Sequence, residues 1–228
     1  MARVVLSIGG SVLVPDEKDD AYISGLAKML KNLSADCKLL VVTGGGRISR
    51  YYIRTGRELG MAETELDELG IMATRMNARL LSGALEGYAN KIPPSTVEGA
   101  ASIKDKHKII VMGGTAPGWT TDFVAASLAE AVGAARLVNA TSVDGVYTAD
   151  PKKSKKAKML REMSYDDLIM LSGSGHAKAG PTVVFDPLAA RLISKAGIPL
   201  YVVNGRNLDA LRSSIQGRSF HGTKVGEQ

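Results

Sequence analysis

Five short aliphatic runs constrain this chain more than any other feature: Val4 to Ile8, Lys38 to Val42, Lys108 to Met112, Ala135 to Asn139 and Leu200 to Val203. Each stops at or near glycine and gives way to a stretch with helical periodicity. Runs this short and this rich in β-branched residues predict strands. Strands that alternate with helical segments pair in parallel, because a parallel partner is reached only by a crossover long enough to hold a helix. The pattern therefore predicts an α/β fold around a mainly parallel sheet. With 228 residues, 45% of them hydrophobic, the chain can bury one large core.

The spacing of apolar residues predicts the crossover helices. Ile23, Leu26, Leu30 and Leu33 define one over Ala21 to Leu33, and another follows the glycines at 44 to 46. Leu66, Leu69, Met72, Met76 and Leu80 lie on one side of a long helix over Glu65 to Glu86. The Ala-rich segment Asp122 to Val132 suits tight packing on the sheet. Asp186-Pro187 reads as a cap followed by a first-turn proline, with Leu188, Leu192, Ile193 and Ala196 as the apolar side. Pro199 opens a strand, and Lys152 to Lys158 and Ser172 to Pro181 read as mobile loops.

In a doubly wound sheet the ligand lies outside the carboxyl ends of the strands. Here those ends are alike: Ile8-Gly9-Gly10-Ser11, Thr43-Gly44-Gly45-Gly46, Met112-Gly113-Gly114-Thr115 and, after the fourth strand, Asp144-Gly145. Paired glycines let an anion approach backbone N–H groups with no Cβ in the way, and a following helix start adds partial positive charge. One such turn is weak evidence, whereas three on one edge point to phosphate chemistry. Arg47 and Arg50 add charge in the turn after the triple glycine, while Arg54 and Arg57 read as a solvated face.

Several classes are excluded. No G-x-x-x-x-G-K-[ST] loop, dinucleotide G-x-G-x-x-G, protein-kinase signature or G-x-S-x-G elbow occurs. The single cysteine, Cys37, rules out a disulfide framework, and the scattered His107, His176 and His221 have no zinc-ligand spacing. With one cysteine a reducing, cytoplasmic setting is expected, and the first twenty residues read as too short and too polar for a leader or a membrane span. The net charge of +6 suits anionic ligands, nucleotides as readily as nucleic acid. With 5% aromatic residues and no RNA-binding aromatic pair or helix-turn-helix, no nucleic-acid partner is expected.

Two further segments carry candidate chemistry. "GGTAPGWTTDFVAA" (113 to 126) offers a glycine turn, several hydroxyls and Asp122 near a helix start, one of Thr120 and Thr121 serving as N-cap. "VDGVYTADP" (143 to 151) combines an Asp-Gly turn, an aromatic residue able to meet a nucleobase, and a second aspartate before proline.

These residues resemble the amino acid kinase superfamily, and within it the archaeal type of uridylate kinase. The resemblance runs through "SIGGSVLVP" (7 to 15), "VTGGGRISR" (42 to 50), "MGGTAPGWTTD" (112 to 122), "SVDGVYTADPKK" (142 to 153) and "FDPLAARLI" (185 to 193). It implies a single three-layer α/β/α sandwich over 1–228, with an acceptor (UMP) half over about 1–133 and an ATP half over about 134–228. It also implies phosphoryl transfer from ATP with Mg2+ to UMP, giving UDP and ADP, and a homohexamer built as a trimer of dimers.

Carried over by residue, the resemblance places Gly9 and Gly10 against the transferring group and Gly45 at the UMP phosphate. Asp67 would take the ribose hydroxyls, and Thr115, Ala116, Pro117, Gly118, Trp119, Thr120 and Thr121 would line the UMP site. Gly46, Arg50, Thr141, Tyr147 and Asp150 would hold ATP, with Tyr147 near the adenine. Asp122 and Asp186 match the acidic positions that organise metal and basic groups. The superfamily's usual lysine two residues before the first turn is here Ser7, which leaves Arg47, Arg50 and Lys178 as substitute cations, Lys178 being preferred. Other kinases of the superfamily, such as isopentenyl phosphate or acetylglutamate kinases, and a non-catalytic nucleotide sensor are the competing readings.

Overall fold

The computed structural model describes residues 1–14, 19–149, 154, 156–173 and 185–227. In chain order its elements are β1 (Ala2–Ile8), α1 (Gly10–Leu13), α2 (Asp20–Leu33), β2 (Cys37–Thr43), α3 (Gly46–Glu58), α4 (Glu63–Ala84), α5 (Val97–Ser102) and β3 (Ile109–Met112). They continue with α6 (Thr121–Val132), β4 (Arg136–Thr141), β5 (Glu162–Met163), α7 (Tyr165–Ser172), α8 (Pro187–Ala196), β6 (Leu200–Asn204), α9 (Leu208–Gln216) and β7 (Thr223–Val225).

Among the described residues the strands form one sheet in the order β3-β2-β1-β4-β6-β7-β5. All pairs are parallel except β6 with β7. β1 is central, with Val4 opposite Leu39 on one side and Arg136 on the other. The chain moves outward from β1 to β2 and β3, returns to β4 on the opposite flank, passes to β5 at the far edge, and comes back to place β6 and β7 between them. The reversal at β4 opens a crevice outside the carboxyl ends of β1 and β4.

Side chains alternate across each strand, so successive aliphatic residues feed two cores. Val5, Leu40, Val42, Ile110, Leu137 and Val202 pack with α5, α6, α7 and α8. Val4, Leu6, Leu39, Val41, Val111 and Val138 pack with α2, α4 and α9. The result has the mainly parallel central sheet that the strand-helix alternation predicts, in the three-layer α/β/α sandwich that the resemblance implies.

Strand boundaries lie within one or two residues of the apolar runs, as in Arg136–Thr141 against an expected Ala135 to Asn139 and Ile109–Met112 against Lys108 to Met112. The structure adds α1, α5, α7, α9, β5 and β7, which the sequence reading omitted. Two- to four-residue elements carry no period to read, but Asn207 followed by Leu208, Leu211 and Ile215 is a cap-plus-period signal for α9.

The long helix shows a larger departure. Of the apolar residues assigned to one side of α4, Leu66 is buried, yet Met72, Met76 and Leu80 are about half exposed. The inward face instead carries Thr74, Asn77 and Ser82 beside Ala73, Ala78 and Leu81. The reason is what α4 meets: glycine turns with carbonyl oxygens that need donors.

Candidate active site

The first two glycine turns pack directly on each other. Gly9 N–H bonds Ala140 O at 3.1 Å, and Gly44 N–H bonds Ile8 O at 2.9 Å, tying both turns to neighbouring strands. A Cβ on Gly10 would lie 2.1 Å from Gly46 N and 2.6 Å from Gly44 O, so the residue must lack one. Gly46 has φ +65°, which suits glycine. The turns thus present adjacent backbone at the crevice, and α3 starts there with its positive dipole end outward.

On the same edge, β1 delivers Ser7 beneath the first turn, where its hydroxyl donates to Asp122 Oδ1 at 2.9 Å. Asp122 sits in the first turn of α6 and also accepts the Asp186 backbone N–H. Protein surrounds this carboxyl on most sides, the residue as a whole being part-buried. Burial pushes its pKa up to about 6, the Ser7 bond pulls against that, and the Asp186 charge adds to it. Asp186 caps α8, accepting Ala189 N–H at 2.8 Å with Oδ1 and the Thr120 hydroxyl at 3.0 Å with Oδ2. Thr120 is itself the N-cap of α6, accepting Phe123 N–H at 3.1 Å. Two carboxylates are therefore fixed at one place by helix starts that the Asp-Pro and Thr-Thr signals predict.

Beside the turns lies a cleft of about 200 Å³, lined by Gly45, Asp67, Gly114, Ala116, Trp119 and Thr121 among others. Asp67, from α4, reaches across it and accepts Gly118 N–H at 2.7 Å, pinning the loop between β3 and α6. Trp119 closes one wall, edge-on to Phe123 at 5.2 Å. A phosphate facing the glycines and a polyol facing Asp67 suit such a slot.

Across β1, Thr141 ends β4, its hydroxyl accepting Val143 N–H at 3.1 Å, and its carbonyl takes Gly205 N–H. Tyr147 approaches Asp144, whose other oxygen accepts Asn204 Nδ2 at 3.0 Å. Arg47 and Arg50 lie on the outward side of α3, lining a broad groove of about 860 Å³ with Tyr51, Tyr52, Arg54 and Met76. Arg57 pairs with exposed Glu63. Lys178 and Asp150 lie outside the described residues.

Sequence reading missed three residues of α4. Thr74 Oγ1 accepts Gly114 N–H at 2.6 Å, and its carbonyl takes the Thr43 hydroxyl. Asn77 Nδ2 donates to Gly44 O at 2.8 Å and Gly45 O at 3.3 Å. Arg75 donates to Gly114 O and Thr115 O, both at 3.1 Å. The available signal was three polar residues breaking the apolar side of a helix otherwise rich in Leu and Met.

Among the described residues there is no cluster of three or more His, Cys, Asp or Glu that could cage a metal, and no helix long and apolar enough to cross a membrane. The family model for the amino acid kinase family matches residues 2–204. A uridylate kinase from Methanocorpusculum labreanum is 44% identical over 227 residues, covering 99% of this chain and 96% of that protein. One from Methanocaldococcus jannaschii is 46% identical over 214 residues, covering 93% and 95%. The crystal structure of uridylate kinase from Archaeoglobus fulgidus superposes with a TM-score of 0.88 at 39% identity, covering 99% of this chain and all of that one.

Proposed function

The chain belongs to the amino acid kinase family, and from that premise we infer that it is a uridylate kinase, a nucleoside monophosphate kinase that transfers the γ-phosphoryl group of ATP to UMP. The observation that carries the acceptor is the convergence of Gly45, Asp67 and the Thr115–Thr121 loop on one cleft beside the Gly9-Gly10 turn.

Transfer is in line and needs no covalent enzyme intermediate, because a UMP phosphate oxygen already bears the charge to attack. That oxygen bonds to the γ-phosphorus as the β–γ bridge breaks, its electron pair leaving with ADP. The chain's contribution is to orient both phosphates on glycine N–H groups, so that charge spreading over the equatorial oxygens meets fixed dipoles.

Asp122 and Asp186 would hold a Mg2+ carried with ATP, a pair of carboxylates with substrate phosphates being a usual Mg2+ environment. Bound there, the ion supplies charge neutralisation at the donor phosphates. The ionised form of Asp122 is the one suited to this, and the Ser7 hydroxyl favours it. We assign the residues before about 134 to the UMP half and those after to the ATP half, with Thr141 and Tyr147 at the nucleotide and Arg47 and Arg50 as cations of the α3 start.

A cytoplasmic homohexamer is part of this reading. The half-exposed Tyr51, Tyr52, Met72, Met76 and Leu80 form an apolar face on α3 and α4 that suits contact with a second copy.

The deciding experiment incubates the protein with Mg-ATP and UMP, CMP, dUMP, AMP, GMP or isopentenyl phosphate separately, and quantifies phosphorylated product and ADP. Rapid conversion of UMP is expected. Turnover of another acceptor in its place would keep the fold and overturn the substrate.

A further inference from the structure

We propose that Asn77 and Arg75 of α4 are positioning residues for the acceptor's phosphate, acting through the carbonyl oxygens they hold. The proposal rests on the reading of the cleft as the UMP site and adds the device that aims its donors.

A trans peptide plane points its C=O and its N–H in opposite directions. Asn77 Nδ2 draws the carbonyls of Gly44 and Gly45 toward α4. The N–H groups of Gly45 and Gly46 are therefore turned away from Asn77. Arg75 does the same in the third turn, holding Gly114 O and Thr115 O with Nε and Nη2 and so turning the N–H groups of Thr115 and Ala116 away from itself. Among the described residues none of these four N–H groups donates to another group of the chain. The Thr115 hydroxyl, buried without a hydrogen-bond partner, adds a fifth polar group awaiting one.

Glycine is otherwise free to rotate its peptide planes, so a turn of three glycines has no intrinsic reason to present its donors to one point. The two α4 side chains remove that freedom. Asn77 is only 3% exposed, and Arg75 adds a third carbonyl, Ser95 O at 3.3 Å. One rigid helix therefore sets the orientation of two turns that lie 33 and 39 residues from it in sequence. A merely structural role would hold the turns together; a positioning role selects which way their N–H groups face, and only a phosphate reports the difference.

The test compares UMP with uridine, which lacks the phosphate, by calorimetry for UMP and ligand-observed NMR for uridine. In the unaltered chain UMP turnover with Mg-ATP is measured first. Asn77→Leu keeps the side-chain size and removes the donor; UMP affinity is expected to fall about tenfold while uridine binding is unchanged. Should that variant fail to fold, Arg75→Met and Arg75→Lys decide. Both should weaken UMP selectively, because lysine keeps the charge but loses the fork that spans two carbonyls. Equal losses for UMP and uridine, or wild-type UMP affinity in a folded variant, would overturn the proposal alone. Absence of UMP turnover by the unaltered chain would overturn the acceptor reading and the proposal with it.

Discussion

Gly9 and Gly10 are adjacent and look equivalent in sequence, yet the packing separates them by a measurable prediction. A Cβ on Gly10 would stand 2.1 Å from Gly46 N, 2.6 Å from Gly44 O and 2.6 Å from Gly45 C. All three are backbone atoms, so no rotamer change relieves the overlap. Reaching even a tight non-bonded separation requires the two turns to part by roughly 1 Å. Overpacking of this kind costs about 1–3 kcal/mol, which in a chain of this size lowers Tm by roughly 5 °C.

The catalytic cost should be larger, because misplacing phosphate donors by that distance lowers the rate about a hundredfold. Gly9→Ala is the internal control. Its Cβ meets Ala140 O at 3.5 Å and Val12 Cγ2 at 3.8 Å, ordinary contacts, and its φ of −54° and ψ of 135° suit alanine. Gly9→Ala should melt with the parent, and any loss of activity there measures how closely the transferring group approaches the backbone. The assays are coupled ADP release at saturating substrates and thermal denaturation. If Gly10→Ala kept its melting temperature and turned over within about twofold of the parent, the reasoning from the contact between the turns would be refuted.

Ser7→Ala removes the donor that favours ionised Asp122, whose pKa burial already pushes up to about 6. Because the metal-binding form is the ionised one, the acid limb of the kcat profile should move to higher pH by about one unit; an unmoved limb would detach Ser7 from Asp122 in catalysis. The same raised pKa has a sign for stability. The folded chain holds the Asp122 proton to higher pH than the unfolded chain, so its contribution is fully present below about pH 4 and is lost as pH rises through 6. Denaturant titrations across that window should show it, partly offset by other carboxylates. Asp67→Ala frees Gly118 N–H and should raise the KM for UMP at least tenfold with little change in the KM for ATP, checked by initial rates with each substrate varied. Met76→Glu on the outward face of α4 should lower the mass seen by light scattering while leaving the melting cooperative; an unchanged mass would place the subunit contact elsewhere.

Local signals made the architecture legible. Aliphatic runs ending in glycine mark the strands because burial on both faces of a parallel strand demands unbroken apolar residues. Asp186-Pro187 and Thr120 mark helix starts because a cap answers to the N–H groups of the next turn alone. The convergence of the glycine turns on one edge follows from parallel strands and needs no coordinates. What could not be read off is which donors meet which acceptors across the fold. Ser7 finds Asp122 across 115 residues, Arg75 finds Gly114 across 39 and Thr120 finds Asp186 across 66. The same logic misassigned α4, where Met72, Met76 and Leu80 face outward and Asn77 faces in. Sequence determined five of the seven described strands and the main crossover helices between them, because hydrophobic burial and capping are set by residues near each other in the chain. Tertiary structure alone decided the direction of each turn's donors, because satisfying a buried carbonyl is settled by whichever side chain the completed fold places beside it.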